Sequence, residues 1–139
     1  MNNLIIKFIV TVFLLDALIF AQQNRMMFDN LVDKKGVVYI AGEKKPYTGR
    51  VFDNYRNKGR KFTGAYRNGK KHGNWTYWKE NGKTDREESY SQGDKSGDWV
   101  YYSDDGIKEK LEKYEKGKDT GHKIYFYKNG KKKKRRVPC

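Results

Sequence analysis

Two short segments of this chain have residue types and spacings that are associated with ion binding. Gly64–Lys71 (GAYRNGKK) nearly matches the phosphate-binding pattern G-x-x-x-x-G-K-[ST], but Lys71 stands where the pattern needs a hydroxyl group for Mg²⁺. Residues 94–98 (DKSGD) have the oxygen spacing that begins a calcium loop, but Trp99 and Asp105 stand where that loop needs Gly and Glu. We therefore interpret both segments as turns and predict no metal and no cofactor.

Residues that could act as a catalytic nucleophile or base are few and widely separated. His72 and His122 are the only histidines, and Cys139 is the only cysteine. The two histidines lie two repeats apart, beyond ligand distance, because each strand step in a sheet is about 4.8 Å. Glu87 and Glu88 are neighbours, and neighbouring residues on a strand face opposite sides of a sheet. We predict no catalytic residues and therefore no enzymatic activity.

Basic residues are concentrated at the C-terminal end of the chain. The sequence has 31 Lys and Arg against 17 Asp and Glu, which gives a formal net charge of +14. Seven of the nine residues 128–136 are basic: Lys128, Lys131, Lys132, Lys133, Lys134, Arg135 and Arg136. Such a segment is either a solvated terminus or is attracted to an anionic surface, at about 1 kcal/mol per basic residue near that surface. These residues are candidates for binding an anionic membrane or polysaccharide.

The N-terminal segment is typical of a targeting sequence. An apolar run, Phe8–Leu15, is separated by Asp16 from a second run at residues 17–21 (ALIFA). The small residue Ala21, before two glutamines, suits cleavage by signal peptidase. We predict that residues 1–21 are a signal peptide and that the protein is secreted, periplasmic or attached to the cell envelope. The alternative is a retained membrane anchor, for which this segment is short.

The rest of the chain repeats with a period of 24 residues. One column of glycines and one column of tyrosines keep this spacing: Gly49, Gly73, Gly97 and Gly121, and Tyr66, Tyr90 and Tyr114. Two more glycine columns share it: Gly69, Gly93 and Gly117, and Gly82, Gly106 and Gly130. A fixed period over several units indicates a repeat architecture, in which neighbouring units bury each other's apolar faces.

Each unit has the signals of two strands and two turns. An aromatic run such as Trp75–Trp78 favours a strand, and a more polar segment such as Ile107–Tyr114 forms the returning strand. Between them lie Asn81-Gly82, Asp105-Gly106 and Asn129-Gly130. These pairs predict type I′ hairpin turns, because both central residues of that turn need positive φ. We therefore predict an all-β fold, an elongated antiparallel sheet of stacked β-hairpin repeats.

The composition agrees with this fold class and with four divisions of the chain. Hydrophobic residues make up 36% of the sequence and the mean hydropathy is −1.06, which excludes a multi-span membrane protein. An aromatic content of 15% is high for a disordered chain. After the signal peptide we predict an N-terminal cap hairpin (22–48), the hairpin repeats (49–130) and a basic tail (131–139).

The aromatic residues of the strands have two interpretations. Most are expected to form the core between stacked hairpins. Strand alternation places Trp75 and Tyr77 on one face and Trp78 on the other, so one face could leave exposed an aromatic strip that takes a peptide or stacks on sugars. The candidates for contact with a protein partner are Trp75, Tyr77, Trp78, Trp99, Tyr101 and Tyr102.

The segment Tyr66–Trp75 (YRNGKKHGNW) resembles the MORN (membrane occupation and recognition nexus) repeat. It is most similar to the variant form of exported bacterial proteins that is often labelled YwqK-family antitoxin, and the resemblance covers residues 31–133. The classical repeat has a second Gly two residues after its Gly-x-x-x-Gly turn, where this chain has Trp75, Trp99 and Lys123. The resemblance implies stacked hairpins that serve in scaffolding, protein contact and, in some members, acidic-lipid binding.

Together these observations predict a non-enzymatic, exported repeat protein that acts as a protein-interaction scaffold. One alternative is binding of an anionic lipid or another polyanion at the cell envelope through the basic tail. A more distant alternative is an antitoxin or immunity protein, which only the family label supports. Specific nucleic-acid binding is not expected. Exposed edge strands or the unpaired Cys139 would permit a homo-oligomer.

Overall fold

The computed structural model describes residues 28–133. A one-turn 3₁₀ helix, Phe28–Asn30, precedes eleven strands within that range. The strands are β1 (Leu31–Lys34), β2 (Val37–Ile40), β3 (Gly49–Asn54), β4 (Arg60–Arg67), β5 (Lys70–Lys71), β6 (Gly73–Trp78), β7 (Thr84–Ser91), β8 (Asp94–Lys95), β9 (Gly97–Tyr102), β10 (Lys108–Glu115) and β11 (Lys118–Tyr125). The predicted signal peptide, residues 1–21, and the end of the basic tail, residues 134–139 with Cys139, lie outside the described residues.

The strands form an open antiparallel sheet of consecutive hairpins, which confirms the predicted fold class. Its main path has the order β11-β10-β9-β7-β6-β4-β3, and the short strands β5 and β8 pair with β4 and β7. Each long strand of the path therefore pairs with the long strands before and after it in the chain. The sheet does not close on itself, so both of its faces are available for packing or for contact with other molecules.

The strands β1 and β2 form a separate hairpin that packs against the first repeat unit. The Val38 amide donates to the Gly69 carbonyl (2.8 Å), and the Tyr47 amide donates to the Val38 carbonyl (2.8 Å). A Cβ atom at Gly69 would lie 2.4 Å from Val37 Cγ1, so only glycine permits this close approach. The side chains of Val38 and Tyr47 are buried as a result. This hairpin covers the first end of the aromatic core.

The core lies on one face of the sheet and is mostly aromatic. It consists of Val38, Tyr47, Val51, Phe62, Tyr66 and Trp75. Trp75 is 2% exposed, and its ring lies directly over Gly64 of β4. Its indole Nε1–H donates to the Ala65 carbonyl (3.2 Å), and the indole of Trp99 makes the equivalent bond to Ser89 one repeat later (3.1 Å). The period of the sequence is therefore also a period of side-chain contacts.

The predicted type I′ turns at Asn81-Gly82, Asp105-Gly106 and Asn129-Gly130 are wrong. Only the glycine of each pair has positive φ. At the first of these turns the Lys79 amide donates to the Lys83 carbonyl and the Gly82 amide to the Lys79 carbonyl, both at 2.9 Å. This is the three-residue loop in which a type I turn is followed by a left-handed glycine. The Asn-Gly signal suits both loop types, so composition alone did not separate them.

The turns with positive φ at both central residues lie at the other end of each hairpin. They are Asn68-Gly69 (φ 50° and 74°), Gln92-Gly93 (53° and 93°) and Lys116-Gly117 (48° and 81°). The glycine amide of each turn donates to the backbone of the preceding unit: Gly69 to Tyr47 (2.7 Å), Gly93 to Lys71 (2.8 Å) and Gly117 to Lys95 (2.9 Å). These glycines thus both form the turn and link one unit to the next.

Candidate protein-docking face

One row of side chains crosses the core-bearing face of the sheet from β6 to β11. Tyr77 pairs with Arg86 of β7, which also pairs with Tyr101 of β9. Tyr101 pairs in turn with Lys110 of β10, and Lys110 pairs with Tyr125 of β11. Directly paired residues of antiparallel strands project on the same side and lie within contact distance. We call these five residues the aromatic–cation row.

The cations of the row lie over the aromatic rings of their neighbours. The Arg86 guanidinium carbon is 3.9 Å from the ring centroid of Tyr77, and Lys110 Nζ is 4.0 Å from that of Tyr101. These four residues are half-buried, whereas Tyr125 at the end of the row is 48% exposed. The row is therefore a surface strip in which cation–π contacts hold the rings of Tyr77 and Tyr101 in place.

A buried carboxylate next to the row neutralises its first cation. Glu88 is 6% exposed and lies on β7, two residues after Arg86. The Arg86 Nε–H donates to Glu88 Oε1 (2.7 Å), and the Tyr90 hydroxyl donates to Glu88 Oε2 (2.9 Å). A buried charge with such partners is satisfied, and removal of a partner would leave it uncompensated. Glu88 therefore fixes the position of Arg86 over Tyr77.

Glu112 has the same role one repeat later and is 7% exposed. Lys110 and Lys123 lie 3.2 Å and 3.3 Å from its Oε1, and the Tyr101 hydroxyl donates to its Oε2 (3.2 Å). Burial acts to raise the pKa of Glu112, but hydrogen bonds from Lys110, Lys123 and Tyr101 outweigh it and hold that pKa below its ordinary value. Glu112 is thus ionised, and it balances the charge at this end of the row.

The Tyr90 and Tyr101 hydroxyls of this face donate to carboxylates, and the Tyr77 hydroxyl accepts from Lys71 Nζ (2.9 Å). Burial, and then the carboxylate of Glu112, raise the pKa of Tyr101 to about 12. Burial and the Glu88 carboxylate raise the pKa of Tyr77 and of Tyr90 as well. A phenol that donates to a carboxylate resists ionisation, because its anion would face a like charge. Tyr77 and Tyr101 of the row are therefore neutral at physiological pH.

Two lysines are enclosed by aromatic rings beside the row. Lys71 Nζ lies 4.3 Å from the ring centroid of Trp75 and 4.8 Å from that of Tyr90. One repeat later, Lys95 Nζ lies 4.0 Å from the ring centroid of Trp99 and 4.6 Å from that of Tyr114. Burial lowers the pKa of Lys71. These half-buried lysines fill the space between the aromatic rings of successive repeats.

The last described unit replaces this arrangement with an ion pair. Asp119 stands in the column of the enclosed lysines and Lys123 in the column of the tryptophans. Lys123 Nζ is 2.9 Å from the Asp119 carboxylate. The last unit thus has a lysine in place of the buried tryptophan, and no further aromatic unit follows it within the described residues. The ion pair keeps this end of the sheet polar.

The structure divides the six aromatic candidates of the sequence analysis into three groups. Trp75 and Trp99 are 2% and 5% exposed, so they belong to the interior and are not available to a partner. Tyr77 and Tyr101 lie in the row. Trp78 and Tyr102 lie on the opposite face, where the Trp78 ring contacts Arg60 (5.3 Å to the centroid) and the Tyr102 hydroxyl donates to Glu87 (3.0 Å).

The basic candidates lie at the last turn of the described residues. Lys128, Lys131, Lys132 and Lys133 are all exposed. The Lys133 amide donates to the Tyr125 carbonyl (2.7 Å), which brings this segment beside the end of the row. Lys134, Arg135 and Arg136 lie outside the described residues.

Sequence reasoning missed the charged members of the site. Arg86, Glu88, Lys110 and Glu112 belong to returning strands that were treated only as polar. Their signal was the same 24-residue spacing that the glycines keep, since Lys110 follows Arg86 and Glu112 follows Glu88 at that interval. Tyr125 continues the column of Tyr77 and Tyr101 and was recognised as a strand aromatic, but it was not included among the candidates for contact with a partner.

The segments considered for ion binding have other roles in the fold. Residues 64–71 belong to β4 and β5, which a tight turn joins, so no helix begins where a phosphate-binding loop would need one. The Gln92 amide lies 3.5 Å from His72 Nδ1, and His122 is exposed. Between Phe28 and Lys133 no group of His, Cys, Asp and Glu is arranged to hold a metal ion. No helix of this range is long and apolar enough to span a membrane.

Comparisons with protein-family models, with curated proteins and with solved structures give no significant match to this chain. The similarity to the MORN repeat therefore stays an expectation from the sequence. The function has to be argued from the surface of the molecule.

Proposed function

We propose that this protein is a non-enzymatic docking module that binds a protein partner through the aromatic–cation row. The observation that supports this proposal is the row itself: tyrosines at a constant spacing alternate with an arginine and a lysine on an open sheet face. Tyrosine and arginine are enriched among residues that dominate protein interfaces. Four strand steps of about 4.8 Å give the row a length of about 19 Å, which is a suitable core for one protein interface.

The internal contacts of the row lower the cost of binding. Tyr101 is held by Glu112 through its hydroxyl and by Lys110 at its ring face. Side chains that are ordered before binding lose less conformational entropy in the complex. The cations of the row are already balanced by Glu88 and Glu112, so the partner gains mainly by burying the rings. We therefore expect binding that tolerates salt.

A second candidate function is polyanion binding at the cell envelope through the basic tail. The exposure of the four described tail lysines favours it. This binding would weaken steeply as salt rises, because exposed charges are screened beyond about 8 Å at physiological ionic strength. An antitoxin or immunity role would be a special form of protein docking, and rescue of cells from a defined toxin would be needed to establish it.

Export remains part of the proposal, with cleavage near Ala21. Sequencing the N-terminus of the protein from the culture medium and from the envelope fraction tests it. A mature chain that begins at Gln22 supports export, and an intact N-terminus in the cytoplasmic fraction contradicts it.

Photo-crosslinking tests the docking face. A benzophenone amino acid is introduced at Tyr125, which is the exposed end of the row, and in a control at Tyr102 on the opposite face. In cells that express the full chain we expect one discrete adduct from position 125 that is absent from position 102. Adducts of equal yield from both positions would contradict a specific face.

A further inference from the structure

The face opposite the row has two open grooves that are related by the repeat. The first is lined by residues of β3, β4 and β6: Arg50, Phe52, Thr63, Ala65 and Asn74. The second is lined by the residues 24 positions later: Asn74, Thr76, Glu87, Ser89 and Asp98. Each groove lies between a returning strand and the next strand of the path. The fold thus repeats the groove at these five positions with different side chains, and the first groove, at about 1190 Å³ against about 500 Å³, is the larger.

The two grooves have opposite charge. The first also contains Lys58, Arg60 and His72, and no carboxylate lines it. Arg50, Lys58 and Arg60 are exposed, and none of them has an ion-pair partner among the described residues. The second groove has the carboxylates of Glu87 and Asp98, with Lys113 as its one basic residue, and the Glu88 carboxylate points to the other face. The difference therefore lies in the sequence and not in the backbone.

The strand pair that forms the first groove is the most basic part of the repeats. Residues 49–67, which span β3, β4 and the turn between them, contain six Lys and Arg against a single acid, Asp53. Lys61 already neutralises that acid at 3.0 Å. An uncompensated basic concavity attracts anions, because its walls focus the field of its charges.

We infer that the first groove binds an acidic polysaccharide. Arg50 and Arg60 lie at opposite ends of the groove, since Arg60 pairs with Asn54, four residues or about 13 Å along β3 from Arg50. A ligand that meets both cations carries several anionic groups, so a single phosphate or carboxylate is too short.

The remaining lining residues favour a sugar chain over other polyanions. Asn54, Thr63 and Asn74 provide amide and hydroxyl groups for sugar hydroxyls, and Phe52 lies among them as one aromatic ring. Single-stranded nucleic acid requires several aromatic platforms for successive bases. An acidic peptide strand would pair with a sheet edge, here the outer edge of β3, whereas the groove lies across β3, β4 and β6, whose facing backbones are paired with one another. This site does not depend on the proposed docking row, which lies on the other face.

The second groove provides the variant that tests this inference. Thr63→Glu with Asn74→Asp places in the first groove the residues that stand 24 positions later, Glu87 and Asp98. The fold already accommodates both residues at these positions of the repeat. The matched control is Asn81→Asp with Asn129→Asp, which copies Asp105 of the equivalent turn. Both double variants add two negative charges, but only the first adds them to the groove. Circular dichroism and thermal melting establish that both fold.

Binding of the full chain is measured by calorimetry with heparin, polygalacturonate and neutral dextran at about 150 mM salt. We expect both acidic polysaccharides to bind and dextran not to bind. The groove variant should bind at least tenfold more weakly, because two acids now oppose the cations of the groove, and the turn variant should stay within about twofold of the wild type.

Three results would overturn the inference. An equal loss in both variants would mean that net charge, rather than the groove, attracts the polymer. Unchanged binding by the groove variant would place the site elsewhere, for example in the basic tail. Binding of single-stranded DNA or anionic vesicles that equals heparin binding and falls equally in the groove variant would show a general polyanion site. The groove variant is also crosslinked with benzophenone at position 125. If the adduct still forms, the docking proposal stands even where the polysaccharide inference fails.

Discussion

The substitution Gly64→Ala should be among the most damaging single-methyl changes in this chain. A Cβ atom at position 64 would lie 2.1, 2.3 and 2.6 Å from Cδ2, Cε2 and Cε3 of Trp75. The indole cannot withdraw, because Phe62 and Tyr66 pack against it with ring centroids at 5.8 and 5.2 Å. Overpacking of this kind costs about 1–3 kcal/mol, and contact with three ring atoms places this case at the upper end of that range.

A double-mutant cycle with Trp75→Leu isolates the steric term. Gly64 has ordinary strand geometry without positive φ, so a methyl group there has no backbone strain. With the indole removed, Gly64→Ala should be neutral or stabilise by up to about 1 kcal/mol through the unfolded chain. We therefore expect a coupling free energy of about 3 kcal/mol or more, measured by urea unfolding of the four proteins with circular dichroism. An equal cost of Gly64→Ala in both backgrounds would refute the packing of Trp75 over Gly64.

Two further predictions concern the linkage between units and the tyrosine hydroxyls. Gly69→Ala should lower the melting temperature far more than Gly130→Ala, because a Cβ atom at position 69 would collide with Val37. The space around Gly130 is open, so Gly130→Ala has only the cost of positive φ, about 1 kcal/mol. Similar melting temperatures of the two variants would contradict the docked N-terminal hairpin. Tyr101 and Tyr102 have pKa values raised to about 12 against about 10 in the unfolded chain, so their contribution to stability is complete below about pH 10 and is lost as the pH rises to about 12. Urea midpoints should fall between about pH 10 and pH 12, and replacing both tyrosines by Phe should reduce that fall; an unchanged fall would contradict the assignment.

The sheet could be predicted from the sequence because the residues that form its turns and strands recur at a fixed spacing. Gly73 and Gly97 with Tyr66 and Tyr90 recur at one spacing, and a repeat of this length that alternates strand and turn signals has few ways to pair. Turn types could not be assigned in the same way. Both turns of a unit contain glycine. Which turn type each one adopts depends on the loop length and on the contacts that its glycine makes with the preceding unit.

The candidate site could be predicted only in part. Tyr77 and Tyr101 were identified from strand alternation, but Trp75 and Trp99 were grouped with them although they are buried. Whether a side chain at these positions is buried depends on the residue beside it on the neighbouring strand. Gly64, for example, has no side chain and lies beneath the indole of Trp75. The glutamates of the site could not be found from local polarity, because a strand such as KTDREES suggests full solvent exposure. Their burial depends on cations and hydroxyls of neighbouring residues and strands.

Two adjacent tyrosines provide the most direct test of the docking proposal. Tyr101 and Tyr102 are neighbours on β9, each is half-buried and each donates to a carboxylate, but they lie on opposite faces. The measurement is the dissociation constant of the crosslinked partner for the wild type, Tyr101→Ala and Tyr102→Ala at about 50 and 500 mM salt. We predict that Tyr101→Ala weakens binding at least tenfold at both salt concentrations and that Tyr102→Ala does not. Equal effects of the two substitutions, or binding that disappears at the higher salt, would contradict a neutral, face-specific docking site.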